Sequence, residues 1–369
     1  SLPEYEAKDF GKKPQVAFLY PGAGNYYQDM GKQLTNAFPD VMEKQDRKHL
    51  YLKDQFAVKS YWNTQLGQQI PFMDVLAGQC ALGCFATDIF TEFGIKPDAI
   101  IGYSLGESAG AFASGAWRGR DALYRKLEVS PLFNTEIDGR MDAVRRMWKL
   151  GPDEKIDWVT ALIQKPVVEI ESALEGLERA YLGNINTDNE AIVCGDRTQV
   201  NRLLKTLDYP LISIPNLPAV HSPAVAECEE MYHEFHKVPV KAQEGLRIYS
   251  GAKGEAIEVT TDGIADSILA HGIHGVNFPK VIRKAYDDGV RIFVEMGPGS
   301  SLTRMVKEIL KGHEFEAISI CEKADLEVSN LRNCLGMLKS YDLKLKTKNY
   351  IERAGALGSG ETKQKIKSF

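Results

Sequence analysis

No apolar run in this chain approaches the ~18 residues a transmembrane helix needs, and the opening stretch "SLPEYEAKDFGKKPQ" lacks the basic-then-apolar form of a secretory signal. The expectation is a protein with no membrane span and, by default, a cytoplasmic location. Positive charge is not in excess: 45 Lys and Arg against 50 Asp and Glu leave a net charge of -5. No global field therefore favours nucleic acid or an anionic bilayer. Cysteine is sparse and scattered. The six residues, Cys80, Cys84, Cys194, Cys228, Cys321 and Cys334, include no C-x-x-C pair and no Cys/His cluster at zinc spacing, so they read as reduced thiols, with no metal implied. Cys80 and Cys84 sit four apart in the helical run "VLAGQCALGCFATDIF" and share a buried face. Also missing are a fixed-period repeat, an H-G-G-G oxyanion loop, and the third glycine of a dinucleotide fingerprint. In "YPGAGNYYQDMG", Gly22 and Gly24 are followed by Tyr27 where that glycine belongs.

What is present reads as a soluble globular α/β protein. At 369 residues, 44% hydrophobic and 26% charged, the chain can build one large core with a smaller companion. "QVAFLYPGAG" predicts a buried strand ending in a tight turn, residues 71 to 93 a helix, "KPDAIIGYS" a second strand, and "LGESAGAFASGA" a close-packing small-residue helix. Between about 157 and 216 the order becomes β-α-β-β-α-β, that of a ferredoxin-like module. "VRIFVEMGPGSS" and "LTRMVKEILKG" then return to the parallel style. The expected organisation is a large α/β subdomain over 14–156 and 217–345, an inserted small subdomain over 157–216, and a Gly, Ser and Lys rich tail or linker over 346–369.

"GYSLGE" supplies the chemistry. A serine hydroxyl is a weak nucleophile until a base removes its proton, and G-x-S-x-G puts it on a sharp strand-to-helix turn. Gly102 and Gly106 flank Ser104, and the N–H of Leu105 opens the helix, where it can face a developing oxyanion. Seven histidines compete for the base. His49, His233, His236 and His313 lie in charged surroundings and read as solvated. His271 and His274 in "LAHGIHGVNF" are plausible loop residues, whereas His221 in the apolar "NLPAVHSPAV" is held where one orientation can be enforced. It is the preferred partner of Ser104.

"FLYPGAG", "GYSLGE", the N-x-N of "GNINTDNEAIVCG", "VHSP" and "FVEMGPGSSLT" together resemble, in order and spacing, the malonyl-CoA:acyl carrier protein transacylase fold of fatty acid and polyketide synthesis. The segment from "GYSLGESAG" to "DAVRRMW" is similar, more narrowly, to the acyltransferase subunit or domain of polyunsaturated fatty acid synthases. The resemblance covers about 14 to 312. It implies that the large α/β subdomain is hydrolase-like, with a site between the two subdomains at which Ser104 is acylated by an acyl-CoA or acyl carrier protein thioester and His221 is the base. No cofactor is bound permanently, the substrates bear phosphopantetheine, and the partners are acyl carrier proteins and other synthase subunits or domains. It further implies an oxyanion hole from the amides of Leu105 and Ala23, and a histidine oriented by a main-chain carbonyl, expected near Met296 to Ser300.

Malonyl-selective members carry arginine twenty-five residues after the serine and histidine before it; this chain has Val129 and Tyr103 there. An unpaired buried carboxylate costs several kcal/mol, so the expected acyl pocket, including Tyr103 and Val129, takes an uncharged chain. A shifted clamp by Arg125, one helical turn away, is the malonyl alternative, and carrier docking by Arg118, Arg120, Arg125 and Lys126 is a further reading of that helix. Thioester hydrolysis and a non-catalytic carrier-docking domain are the remaining alternatives.

Overall fold

The computed structural model describes residues 2–52, 61–62, 70–215 and 217–346; all but the first residue of the expected 346–369 tail lies outside them. The chain runs β1 (Gln15–Tyr20), α1 (Lys32–Ala37), α2 (Pro39–Arg47), α3 (Phe72–Glu92), β2 (Ala99–Gly102), α4 (Leu105–Ala113), α5 (Arg120–Val129), a π-turn at Leu132–Glu136 and α6 (Asp142–Met147). Next come β3 (Trp158–Ile163), α7 (Val167–Leu174), β4 (Ala180–Thr187), β5 (Glu190–Asp196) and α8 (Arg197–Thr206). After a 3-10 turn at Pro223–Cys228 follow α9 (Glu229–His236), β6 (Arg247–Tyr249), α10 (Thr261–His274), α11 (Phe278–Asp287), β7 (Val290–Glu295), α12 (Ser301–Ile309), β8 (Glu316–Ser319) and α13 (Glu327–Ser340).

Five strands form one parallel sheet in the order β6-β2-β1-β7-β8. Its central strands are apolar on both faces, as parallel strands covered by helices must be. Val16, Phe18 and Tyr20 of β1 point into one core cluster, and Ala17 and Leu19 into another. In such open sheets sites form outside the carboxyl ends of the strands, where neighbouring connections diverge. Here the Gly22–Gly24 turn follows β1 and Ser104 follows β2, two adjacent strands. Helix α3 is long and apolar enough to cross a bilayer by length and composition, but 67% of its apolar window is buried inside the protein. It is the core helix behind the site.

The second sheet is antiparallel, ordered β3-β5-β4. Its fourth strand, expected at "YPLISIP", is reduced to a bridge between Ala161 and Ser213, with hydrogen bonds from Leu162 N to Ile212 O and from Ile214 N to Thr160 O. Pro210 and Pro215 bracket it, and neither can donate to a ladder. Its position beside β3 is the ferredoxin-like one. Edge strand β4 faces the large unit: Ile185 N donates to Val276 O at 2.8 Å.

Candidate active site

The short apolar strand β2 is wholly buried and delivers Ser104 into a backbone conformation, φ 55° and ψ -117°, that costs a non-glycine residue of order 1–3 kcal/mol. Its two glycines are required by space. A Cβ on Gly102 would lie 2.1 Å from Glu107 N, and one on Gly106 would lie 1.8 Å from Tyr20 O. The turn therefore packs backbone on backbone, and Ser104 projects from it at the start of α4.

Ser104 Oγ lies 2.7 Å from His221 Nε2, and His221 Nδ1 lies 2.8 Å from the carbonyl oxygen of His271. A carbonyl can only accept. Nδ1 therefore carries the ring proton, which leaves Nε2 as the acceptor of the serine hydroxyl. Burial pushes the His221 ring down to about 4, although its bond to the His271 carbonyl works the other way. The imidazole is thus neutral and ready to take a proton. The orienting carbonyl belongs to the last turn of α10, where it also accepts from Gly275 N at 2.9 Å.

The expectation that this carbonyl lies between Met296 and Ser300 is corrected. There, Glu295 accepts from Thr303 N and Thr303 Oγ1, each at 2.7 Å, and caps α12, while Gly297 and Gly299 take φ 88° and 82°. That turn shapes the strand end. The helices bearing the serine and the carbonyl are instead tied together by Glu107, which accepts from Ser267 Oγ and Gly251 N, each at 2.7 Å. Burial lifts its carboxyl to about 7.

Ser104 and His221 open onto a cavity of about 230 Å³ whose wall is largely apolar, including Leu76, Leu123, Leu127, Phe133 and Ile268. Ala23, Leu105 and Tyr103 line it too. Val129 and Arg125 do not. Val129 is 78% exposed, and the Arg125 guanidinium sits 4.5 Å from the exposed ring of Tyr51. The reason is helical phase: Arg120, Leu123, Tyr124 and Leu127 form the inward stripe of α5, so positions 125 and 129 face away. Arg120, expected among the carrier-docking residues, is instead 7% exposed and part of the cavity wall. His236 is likewise corrected, because α9 packs Tyr232, Phe235 and His236 inward and all three line the cavity. His274 is exposed.

Gln79 was not singled out by sequence reasoning. Buried on α3, it accepts from Gly24 N at 2.9 Å and donates to Gly22 O at 2.7 Å, bracing the turn that carries Ala23 from both sides. A polar residue in an otherwise apolar helical run was the available signal. All six cysteines are free and buried.

No family model matches the chain. The acyltransferase domain from the second module of the salinomycin polyketide synthase superposes with a TM-score of 0.72 at 17% identity, over 95% of this chain and 79% of that one. The protein has the acyltransferase fold. Among curated relatives of this acyltransferase fold, the polyketide biosynthesis malonyl CoA-acyl carrier protein transacylase BaeC of Bacillus velezensis is 25% identical over 307 residues. The match spans 80% of this chain and 96% of that one. One of the polyunsaturated fatty acid synthase subunits of Thraustochytrium sp. is 28% identical over 244 residues, which is 63% of this chain but 8% of the relative.

Proposed function

We propose that this protein is an acyltransferase that moves a fatty acyl group between CoA or acyl carrier protein thioesters through an acyl-Ser104 intermediate, within polyunsaturated fatty acid synthesis. The observation that carries the reading is the continuous chain from Ser104 Oγ to His221 Nε2, and from Nδ1 to the His271 carbonyl, at the mouth of an apolar cavity.

Ser104 Oγ adds to the thioester carbonyl carbon as its proton passes to His221 Nε2. The oxyanion faces the N–H groups of Leu105, at the positive end of α4, and Ala23, in the turn Gln79 braces. Collapse breaks the C–S bond, and the imidazolium returns its proton to the departing thiolate. A second phosphopantetheine thiol then reverses these steps: its proton goes to His221, a new C–S bond forms, the ester C–O bond breaks, and Ser104 recovers its proton. This is ping-pong chemistry.

The apolar wall supports an uncharged acyl chain. A malonyl group has two observations in its favour, Arg120 in that wall and the malonyl CoA-acyl carrier protein transacylase among the relatives, so the test includes it. The protein is exposed to acyl-CoAs of several lengths and to malonyl-CoA, and its intact mass is measured. An apolar acyl adduct that Ser104→Ala abolishes is expected. A malonyl adduct alone would reverse the substrate assignment, and no adduct from any thioester would favour a non-catalytic docking role.

A further inference from the structure

Tyr103, immediately before the nucleophile, is 8% exposed and stacks edge-on against Phe278 with centroids 5.8 Å apart. Its hydroxyl donates to Asn186 Oδ1 on β4 at 2.5 Å. From there a polar chain runs along the small sheet to α12. Asn186 Nδ2 donates to Glu190 Oε1 at 2.9 Å, Arg304 Nη2 of α12 donates to the same oxygen at 2.7 Å, and Gln164 Nε2 donates to Glu190 Oε2 at 3.1 Å. Asn186 and Glu190 are both buried. Burial opposes the charge on Glu190, but the bonds from Arg304, Asn186 and Gln164 outweigh it and hold the carboxyl below its usual range.

The strand gripped in this way is the edge strand of the small sheet, and it forms part of the site. Asn184, two residues before Asn186, lines the cavity, and a Cβ on Gly183 would come within 3.3 Å of the His221 carbonyl. Other ties hold the same strand to the large unit: Asn184 Oδ1 accepts from Val276 N at 2.8 Å, and Thr187 Oγ1 donates to Glu308 at 2.7 Å. The tie from Tyr103 reaches the nucleophile's own turn.

We propose that Tyr103 is a positioning residue whose hydroxyl, through Asn186, Glu190 and Arg304, clamps the edge strand of the small sheet to the serine turn and sets the cleft so that a thiol, rather than water, resolves the acyl serine. The inference rests on the acyl-serine reading above. Both resolving reactions break the ester C–O bond and return a proton to Ser104 through His221. The thiol leaves with the acyl group as a thioester, whereas water leaves with it as free acid. A clamped strand admits a narrow thiol arm along one path; a loosened one admits solvent around it.

Wild type, Tyr103→Phe, Asn186→Leu, Glu190→Gln and the double variant Tyr103→Phe/Asn186→Leu are loaded with octanoyl-CoA. Loss of the Ser104 adduct is then followed by mass spectrometry, with and without pantetheine. The expected result is that every variant acylates, while the ratio of free octanoate to octanoyl-pantetheine rises at least threefold over wild type. The double variant, which leaves no buried polar group orphaned, regains thermal stability but keeps the raised ratio, a split a purely structural role would not produce. Folded variants that partition like wild type overturn the clamp while leaving the acyl-serine reading intact. A wild type that forms no adduct overturns that reading, and the clamp with it.

Discussion

The depressed basicity of His221 makes a quantitative prediction for the acid limb of acylation. The base works only as the neutral ring, so its rate falls as pH drops through the ring's value in the free enzyme. A solvated imidazole titrates near 6.5; burial pushes this one to about 4. At pH 5.5 an ordinary histidine would retain about 9% of the plateau rate, a limb at 4 about 97%, and even a limb at 5 about three-quarters. Rapid-quench mass spectrometry of acyl-Ser104 formation at limiting acyl-CoA, from pH 4.5 to 8, reads the limb directly. Circular dichroism at each pH separates it from acid unfolding. A midpoint near 6.5 would refute the inference that the Ser104–His221 pair works from a desolvated cavity wall.

Val129→Arg is expected to leave acyl preference unchanged within twofold in an acyl-CoA panel, because the new side chain points to solvent; a turn toward malonyl would mean α5 is rotated. Leu76→Phe should shorten the accepted chain, each excluded methylene costing about 0.8 kcal/mol or roughly fourfold in kcat/KM, and an unaltered length profile would remove Leu76 from the acyl path. Gln79→Leu, which frees the turn carrying Ala23, should lower the acylation rate roughly tenfold to hundredfold with little change in substrate binding, as expected for a weakened oxyanion donor; a loss confined to KM would argue otherwise. Gly106→Ala should abolish folded protein in expression and thermal-melt assays, since its Cβ would lie 1.8 Å from Tyr20 O.

What the sequence made legible was local. An apolar strand, a glycine-flanked serine and a small-residue helix form one continuous signal, and the structure sets that serine against the histidine chosen for its apolar loop. The parallel sheet and the small antiparallel sheet likewise followed from periodicity. The orienting carbonyl did not, because every residue carries one and the residue that bears it lies 50 positions from His221. Counting twenty-five positions from Ser104 carried Val129 into the pocket without its helical phase, although Leu123 and Leu127 already marked the inward stripe. His236 looked solvated because its neighbours in sequence are charged, yet its own face of α9 is not. The reduced fourth strand was written in Pro210 and Pro215, whose missing donors the strand pattern concealed.

The anchor of His221 has a consequence for how such a site can diversify. Because His221 is aligned by a main-chain oxygen, residue 271 serves that alignment with its backbone and not with its side chain. Its imidazole, 4% exposed in the same cavity wall, is therefore an adjustable surface laid over a fixed support. A substitution there reshapes the wall beside the His221 ring, 5.3 Å away, while leaving in place the oxygen that aligns it.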